Sequence, residues 1–385
     1  MSAPSHIGLV AQGGAGWPGG SEYIRNLIRA VRANPNPPRL SIVCGPAQAA
    51  EWESQADALM VVPPHRKSLL DRFCAPHAEL ARAVREAGIE FVYPLTYDNR
   101  YNLGIDLPLG QALGTCRWAG WIPDFQHRYL PHLFSEKEIG RRDRGIEQLV
   151  ADAPKIVLSS GSAAADLARY YPAAEARSEV LTFATFPHPG WYTDFDAEDL
   201  GWLPERFFLV SNQFWKHKNH LLLFEALALL ASRGIRPVVV CTGQLADFRD
   251  ADYPNLILQT LHRTRVANQV VLLGNLARRT QIELMRRALA VVQPSRFEGW
   301  STVVEDARVL GQQILLSDLP VHREQNPPNA RFFSPDSAEE LANALAEAWE
   351  TLQPGPHHER ENVARAAAEE RIRGVGRRFL EIAAT

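Results

Sequence analysis

The stretch Ala290-Val291-Val292-Gln293-Pro294-Ser295-Arg296-Phe297-Glu298-Gly299-Trp300-Ser301-Thr302-Val303-Val304-Glu305-Asp306-Ala307 decides the fold. A short apolar run stops at Pro294, and a helical pattern begins near Ser301 or Thr302, so the segment reads as a strand-to-helix junction. Such a junction gathers backbone N–H groups, the positive end of a helix and acidic hydrogen-bond acceptors in one place. That combination suits a sugar nucleotide.

The same alternation of short Val/Ile/Leu/Phe runs and helical segments recurs along the chain, as expected of parallel sheets buried on both faces. Strands are expected at His6 to Val10, Leu40 to Cys44, Ala58 to Val62, Ile89 to Tyr93, Trp118 to Ile122 and Lys155 to Ser159. A second series runs through Phe207 to Ser211, Pro237 to Thr242, Gln269 to Leu273, Ala290 to Gln293 and Gln313 to Ser317. Ser135-x-x-Glu138, Thr280-x-x-Glu283, Thr302-x-x-Glu305 and Ser337-x-x-Glu340 have the form of capping boxes. Ser160-Gly161-Ser162 reads as a strand end and helix cap, since the G-x-S-x-G of a nucleophile elbow is absent.

The Pro-, Gly- and aromatic-rich stretch around Phe186-Pro187-His188-Pro189-Gly190 fits a linker. The expected organisation is an N-terminal Rossmann-like domain over 1–185, a linker over 186–203 and a C-terminal Rossmann-like domain over 204–360. A terminal helix over 361–385 is expected to pack back on the first domain. The fold class is α/β, two doubly wound domains facing one another across a cleft, with ligands beyond the carboxyl ends of the strands.

Composition narrows the function. With 385 residues, 46% hydrophobic, the chain can bury two substantial cores. A formal net charge of -3 lacks the basic field of a nucleic-acid binder, so no nucleic-acid partner is expected. The four cysteines are scattered without a C-x-x-C pair, which argues for a reducing, cytoplasmic location. The basic segment His65 to Gly88 adds a peripheral contact with the inner membrane surface as an expectation, although a plain amphipathic pair of helices explains it equally well.

Several motifs suit the junction's chemistry. Gln12-Gly13-Gly14-Ala15-Gly16 after the first strand lets the backbone approach a phosphate, with Gly14 and Gly16 the candidates. Lys218, in Asn212-Gln213-Phe214-Trp215-Lys216-His217-Lys218-Asn219-His220, follows the first strand of the second half and can neutralise a diphosphate as a point charge. Glu298 sits in a loop beside Gly299, where a carboxylate is more often a ligand contact than a fold device. Tyr97, Asn99 and Asp124 are candidates for an acceptor pocket, with a polar surface turn the plainer reading of the first two. Asp194-x-Asp196, Asp250-x-Asp252 and His217-x-x-His220 have the spacing of metal ligands but lack supporting partners, so no metal is expected.

Phe297-Glu298-Gly299 through Glu305-Asp306-Ala307 resembles the E-x7-E signature of family 4 retaining glycosyltransferases of GT-B fold. Lys218, Gly274, Ser317-Asp318-Leu319-Pro320-Val321-His322-Arg323-Glu324 and Trp121-Ile122-Pro123-Asp124-Phe125-Gln126-His127 match further motifs of that family, most strongly over residues 205 to 345. The resemblance implies transfer of a sugar from a UDP-, GDP- or dTDP-sugar to a glycan or lipid-linked hydroxyl, with retention and no cofactor. It implies that Glu298 contacts the sugar, that Glu305 holds the ribose and that Lys218 stabilises the departing diphosphate. Gln213, Gly274, Gly299, Trp300, Ser301 and Thr302 would complete the donor site, and His127 would sit beside the sugar. Two departures stand out: six residues separate Glu298 from Glu305, and Gln213 stands where the family carries an arginine, with Lys216 or the amide itself as substitutes. A nucleotide-sugar-binding module with weak turnover, or a related epimerase or phosphorylase, remains the alternative.

Overall fold

The computed structural model describes residues 3–13, 18–62, 77–97, 113, 116–193 and 201–385. The chain divides into two compact units, Met1–Phe186 with Glu370–Thr385, and Pro187–Glu369.

The first unit is built on seven strands: β1 (His6–Val10), β2 (Arg39–Cys44), β3 (Ala58–Val61), β4 (Phe91–Leu95), β5 (Arg117–Ile122), β6 (Ile156–Leu158) and β7 (Ser178–Val180). They pair in the order β3-β2-β1-β4-β5-β6-β7, all parallel. Every residue of β1 and β4 is buried, which is why these strands read as continuous apolar runs. Beside the sheet, Tyr23 stacks on Trp121 at 4.6 Å, and the Trp121 Nε1–H donates to Ser159 Oγ at 3.0 Å. The end of the helix His358–Ala384 also belongs to this unit. Its Phe379 packs against Phe91 and Tyr93, while Lys155 donates to the Ile382 carbonyl at 3.0 Å.

The second unit carries β8 (Phe208–Ser211), β9 (Val239–Thr242), β10 (Val270–Gly274), β11 (Val291–Gln293), β12 (Ile314–Ser317) and β13 (Ala330–Phe333), in the order β10-β9-β8-β11-β12-β13. All pairs are again parallel. The helix His220–Ser232 is apolar almost all round because both its sides are covered, Leu223, Phe224 and Leu227 being fully buried. Both sheets are therefore doubly wound, as the sequence pattern predicts. In each, the order reverses beside its first strand, between β1 and β4 and between β8 and β11, and that is where ligands of such sheets bind.

Two strands escape the sequence reading, β7 and β13, both at sheet edges. Ser178-Glu179-Val180 is only partly buried, and Arg331 interrupts β13, since an edge strand needs one paired side and less apolar surface. Ser135, Ser160 and Ser337 cap their helices as expected, each side chain accepting from the backbone N–H three residues on. The other two capping boxes are corrected. The helix Arg278–Arg287 starts ahead of Thr280, and Glu283 is drawn instead into ion pairs with Arg286 and Arg287. Thr302 is the first helical residue of Thr302–Val309, Ser301 is the N-cap, and no side chain caps the turn.

Among the described residues, no helix is long and apolar enough to cross a membrane. Residues 65–76 of the basic segment lie outside the described residues, and on the helix His77–Glu86 the exposed side chains of Arg82 and Glu86 pair at 3.6 Å, while Ala81 and Val84 are buried.

Candidate active site

The centre of the second unit's site is an ion pair across the reversal of its sheet. Lys218 follows β8 in a single 3-10 turn, Lys216–Lys218, and Glu298 lies in the loop after the neighbouring strand β11. Lys218 Nζ lies 2.7 Å from Glu298 Oε1, with side chains only 14% and 9% exposed.

Asn219 explains why these two loops meet. It takes the left-handed conformation at φ 60°, which asparagine tolerates better than most residues, and thereby ends the 3-10 turn and starts the helix His220–Ser232. Its Nδ2 donates to the carbonyls of Pro294 at 3.1 Å and Pro335 at 2.9 Å. From the other side, the Arg296 N–H donates to the His217 carbonyl at 2.8 Å.

Glu298 is held as an anion. Burial disfavours its charge, but Lys218 and its hydrogen bond outweigh that, bringing the carboxyl down to about 2. Oε1 also accepts from Gln293 Nε2 at 2.8 Å and Ser295 Oγ at 2.6 Å. Three buried histidines surround the pair. Burial and the nearby Lys218 charge lower His217 and His220 to about 3, and burial lowers His322 as well. All three are therefore neutral near pH 7. His220 stacks on Phe214 at 4.0 Å with neither ring nitrogen hydrogen-bonded.

The candidates at the helix start divide. Gly299, Trp300 and Thr302 are partly exposed, whereas Ser301 is buried and its N–H donates to Gln325 Oε1 at 3.2 Å. Glu305 has a fully buried side chain that accepts from Gln325 Nε2 at 3.2 Å and lies 3.6 Å from Arg308. Its neighbour Asp306 is separated from Glu298 by seven residues, Gly299 to Glu305, the spacing of the family signature, and the sequence reading missed it by matching residue type instead of spacing. One residue along a helix turns the side chain by about 100°. Asp306 accordingly faces the helix Arg278–Arg287, where Arg278 holds both its oxygens at 2.6 and 2.8 Å. Arg278 is about one-third exposed and also went unnoticed in the sequence.

Gln213 and Lys216 are committed elsewhere. The Gln213 side-chain oxygen accepts from the Gln244 N–H at 2.7 Å, its Nε2 donates to Asn275 Oδ1 at 3.2 Å, and Lys216 pairs with Asp250. Gly274 ends β10 at φ 68°, and its carbonyl accepts from the Gly243 N–H at 2.7 Å. Among the described residues, no cluster of three His, Cys, Asp or Glu side chains could hold a metal. Asp194 and Asp196 lie outside them.

In the first unit, His127 is buried and its Nε2 meets Asp143 Oδ1 at 2.9 Å, while Nδ1 has no partner. Burial lowers its pKa against the pull of Asp143, so the ring is neutral, with Nε2–H donating and Nδ1 left as a lone pair. Asp124 accepts from the Gln126 N–H at 2.9 Å and so shapes the turn into the helix Gln126–Tyr129, a local structural duty. Tyr97 lies against Arg142. Gly14, Gly16 and Asn99 fall outside the described residues.

Solved structures share this architecture along the whole chain. Anabaena Alr3699/HepE in complex with UDP and glucose matches with a TM-score of 0.71 at 18% identity, covering 98% of each chain. A glycosyltransferase from Rickettsia africae ESF-5 matches with a TM-score of 0.68 at 14% identity, covering 100% of this chain and 98% of that one. The sucrose-phosphate synthase (tll1590) from Thermosynechococcus elongatus matches with a TM-score of 0.66 at 14% identity, covering 98% and 96%. No curated protein sequence matches the chain. The fold is GT-B, and the sequence of residues 194–370 matches the family described as glycosyl transferases group 1.

Proposed function

We propose that this protein transfers a sugar from a nucleotide-sugar donor to a hydroxyl acceptor, with retention of configuration and without a metal ion. The observation that carries the reading is the buried Lys218–Glu298 pair at the reversal of the second sheet. An ammonium has three donors. With one on Glu298, Lys218 keeps two for the oxygens of a diphosphate, where its charge stabilises the group as it leaves. Glu298 has Oε1 occupied by three donors, and Oε2 remains to accept from a hydroxyl of the sugar. The departing phosphate oxygen would take the acceptor's proton on the face it leaves, so the new bond forms on the same side and configuration is retained.

Uridine diphosphate is the donor handle we favour, because structures of this fold have been solved with UDP, UDP-glucose and UDP with glucose. Asp306, held by Arg278, takes over the ribose role first assigned to Glu305, which is sealed beneath the helix by Gln325. His127 would accept a substrate hydroxyl through its bare Nδ1. The acceptor is a glycan or lipid-linked hydroxyl, and the working place is the cytoplasm.

A second reading, a nucleotide-sugar-binding module with weak turnover, is favoured by one observation. Neither Gln213 nor Lys216 brings a second free cation to the diphosphate, since both are engaged with neighbouring loops.

Transfer assays with UDP-, GDP- and dTDP-sugars separate the two. Lys218→Ala should lower kcat about 100- to 1000-fold with the fold intact by circular dichroism. Turnover within threefold of wild type would remove Lys218 from the mechanism. Donor binding by the wild type without transfer to any hydroxyl would leave the binding module.

A further inference from the structure

Glu298 Oε1 has three donors of unequal character: the ammonium of Lys218, the hydroxyl of Ser295 and the amide of Gln293. If Lys218 serves the donor diphosphate, an incoming anion competes with Glu298 for that ammonium at the moment when Glu298 must hold still. The neutral donors do not face this competition. Of these, Gln293 is the more constrained, being the last residue of β11 and wholly buried.

The amide is also oriented from behind. Asn212 Nδ2, just beyond β8, donates to Gln293 Oε1 at 2.8 Å, and an amide whose oxygen is so engaged must turn its NH2 the other way. That NH2 reaches Glu298 Oε1 at 2.8 Å, Ser295 Oγ at 3.1 Å and Ser301 Oγ at 3.4 Å. A relay thus runs from the end of β8 through the end of β11 to the carboxylate, spanning the whole short loop from Ser295 to Ser301.

We infer that Gln293, oriented by Asn212, is a positioning residue that keeps Glu298 Oε1 pinned and Oε2 turned toward the substrate when Lys218 engages the leaving group. This rests on the glycosyl-transfer reading of Lys218 and Glu298. It also accounts for how a junction with six residues between Glu298 and Glu305 keeps Glu298 in place: the loop is tied to the strand below it by one side chain.

Two variants test it. Gln293→Met keeps the length and apolar packing but has no donor, so kcat should fall roughly tenfold with donor KM within about threefold, as expected for losing a hydrogen bond to a charged group. In the same variant, carboxyl 13C NMR should show the Glu298 titration midpoint rising, because the anion has lost a donor. Gln293→Glu can donate to Glu298 only while protonated. Its transfer should be strongest at low pH and be lost as pH rises through the new carboxyl's titration, a descending limb that wild type lacks. Unchanged kcat in Gln293→Met, an unmoved Glu298 midpoint, or a wild-type pH profile in Gln293→Glu would each overturn the inference. Should Gln293→Met fail to fold, the pH limb of Gln293→Glu decides. A raised midpoint in a protein that transfers no sugar would sink the transferase reading and leave the positioning of Glu298 standing.

Discussion

Asp306 and Glu305 are adjacent acids with different surroundings, and their separation is testable at the scale of single residues. Glu305 is enclosed by Gln325 and Arg308, while Asp306, also buried at 2% exposed, has both oxygens on Arg278, whose side chain is about one-third exposed. Asp306→Asn should raise donor KM about tenfold or more by weakening the Arg278 pair and the proposed ribose contact. Glu305→Gln, which preserves shape, should change donor KM by less than threefold. The reverse ranking in steady-state kinetics would return the ribose to Glu305. His220 offers a second test at this scale. Its folded pKa is about 3 against an ordinary 6.5, so the unfolded chain takes up a proton that the folded protein refuses throughout that window. Stability contributed at neutral pH is therefore lost as pH falls from 6.5 toward 3, by up to about 1.4 kcal/mol per pH unit. His220→Phe keeps the stack on Phe214 without a titrating group. Its Tm relative to wild type should rise between pH 7.5 and pH 5; a constant difference would show that His220 does not carry the acid sensitivity.

At the scale of elements, the site depends on two loops from neighbouring strands being tied together. Asn219 does this with one side chain and one unusual backbone angle. Replacing it by alanine removes two hydrogen bonds to the Pro294 and Pro335 carbonyls and a third from Arg296 Nε, and places a less tolerant residue at φ 60°. The expected loss is about 3 kcal/mol of stability. Urea unfolding followed by fluorescence measures it, and a loss under 1 kcal/mol would mean that the loops are joined chiefly by the Arg296-to-His217 backbone bond. Asn219→Gly restores the backbone freedom alone, so it should recover part of the deficit.

For the whole molecule, the same doubly wound plan is used twice, in a seven-stranded and a six-stranded sheet. Only the second carries the Lys218–Glu298 pair, so nucleotide binding should report on that unit. UDP at 100 times its Kd should stabilise the folded protein by about 2.7 kcal/mol, seen as a rise in Tm, and EDTA should leave the shift unchanged. GDP or dTDP giving the larger shift would replace uridine as the donor base. Dependence of the shift on a divalent cation would overturn the metal-free reading.

Strand placement was legible because parallel strands buried on both faces are nearly continuous apolar runs, as Ile7 to Val10 and Phe208 to Val210 are. The edge strands Ser178–Val180 and Ala330–Phe333 were not, since half-paired strands tolerate Glu179 and Arg331. Lys218 and Glu298 could be singled out from residue type and position at strand ends. Gln293, Gln325, Asn212 and Arg278 could not, because a glutamine at a strand end or an arginine at a helix start is ordinary until its partners are known. The sequence by itself determined the α/β class and the two-fold use of one plan, and it singled out Lys218 and Glu298 one by one, all of which follows from local pattern along the chain; that the two meet as an ion pair is tertiary. Only the tertiary structure decided that Asp306 meets Arg278 while Glu305 meets Gln325 and Arg308, and what holds the loop after β11. Those answers depend on helix rotation and on side chains far apart in sequence that share one buried space.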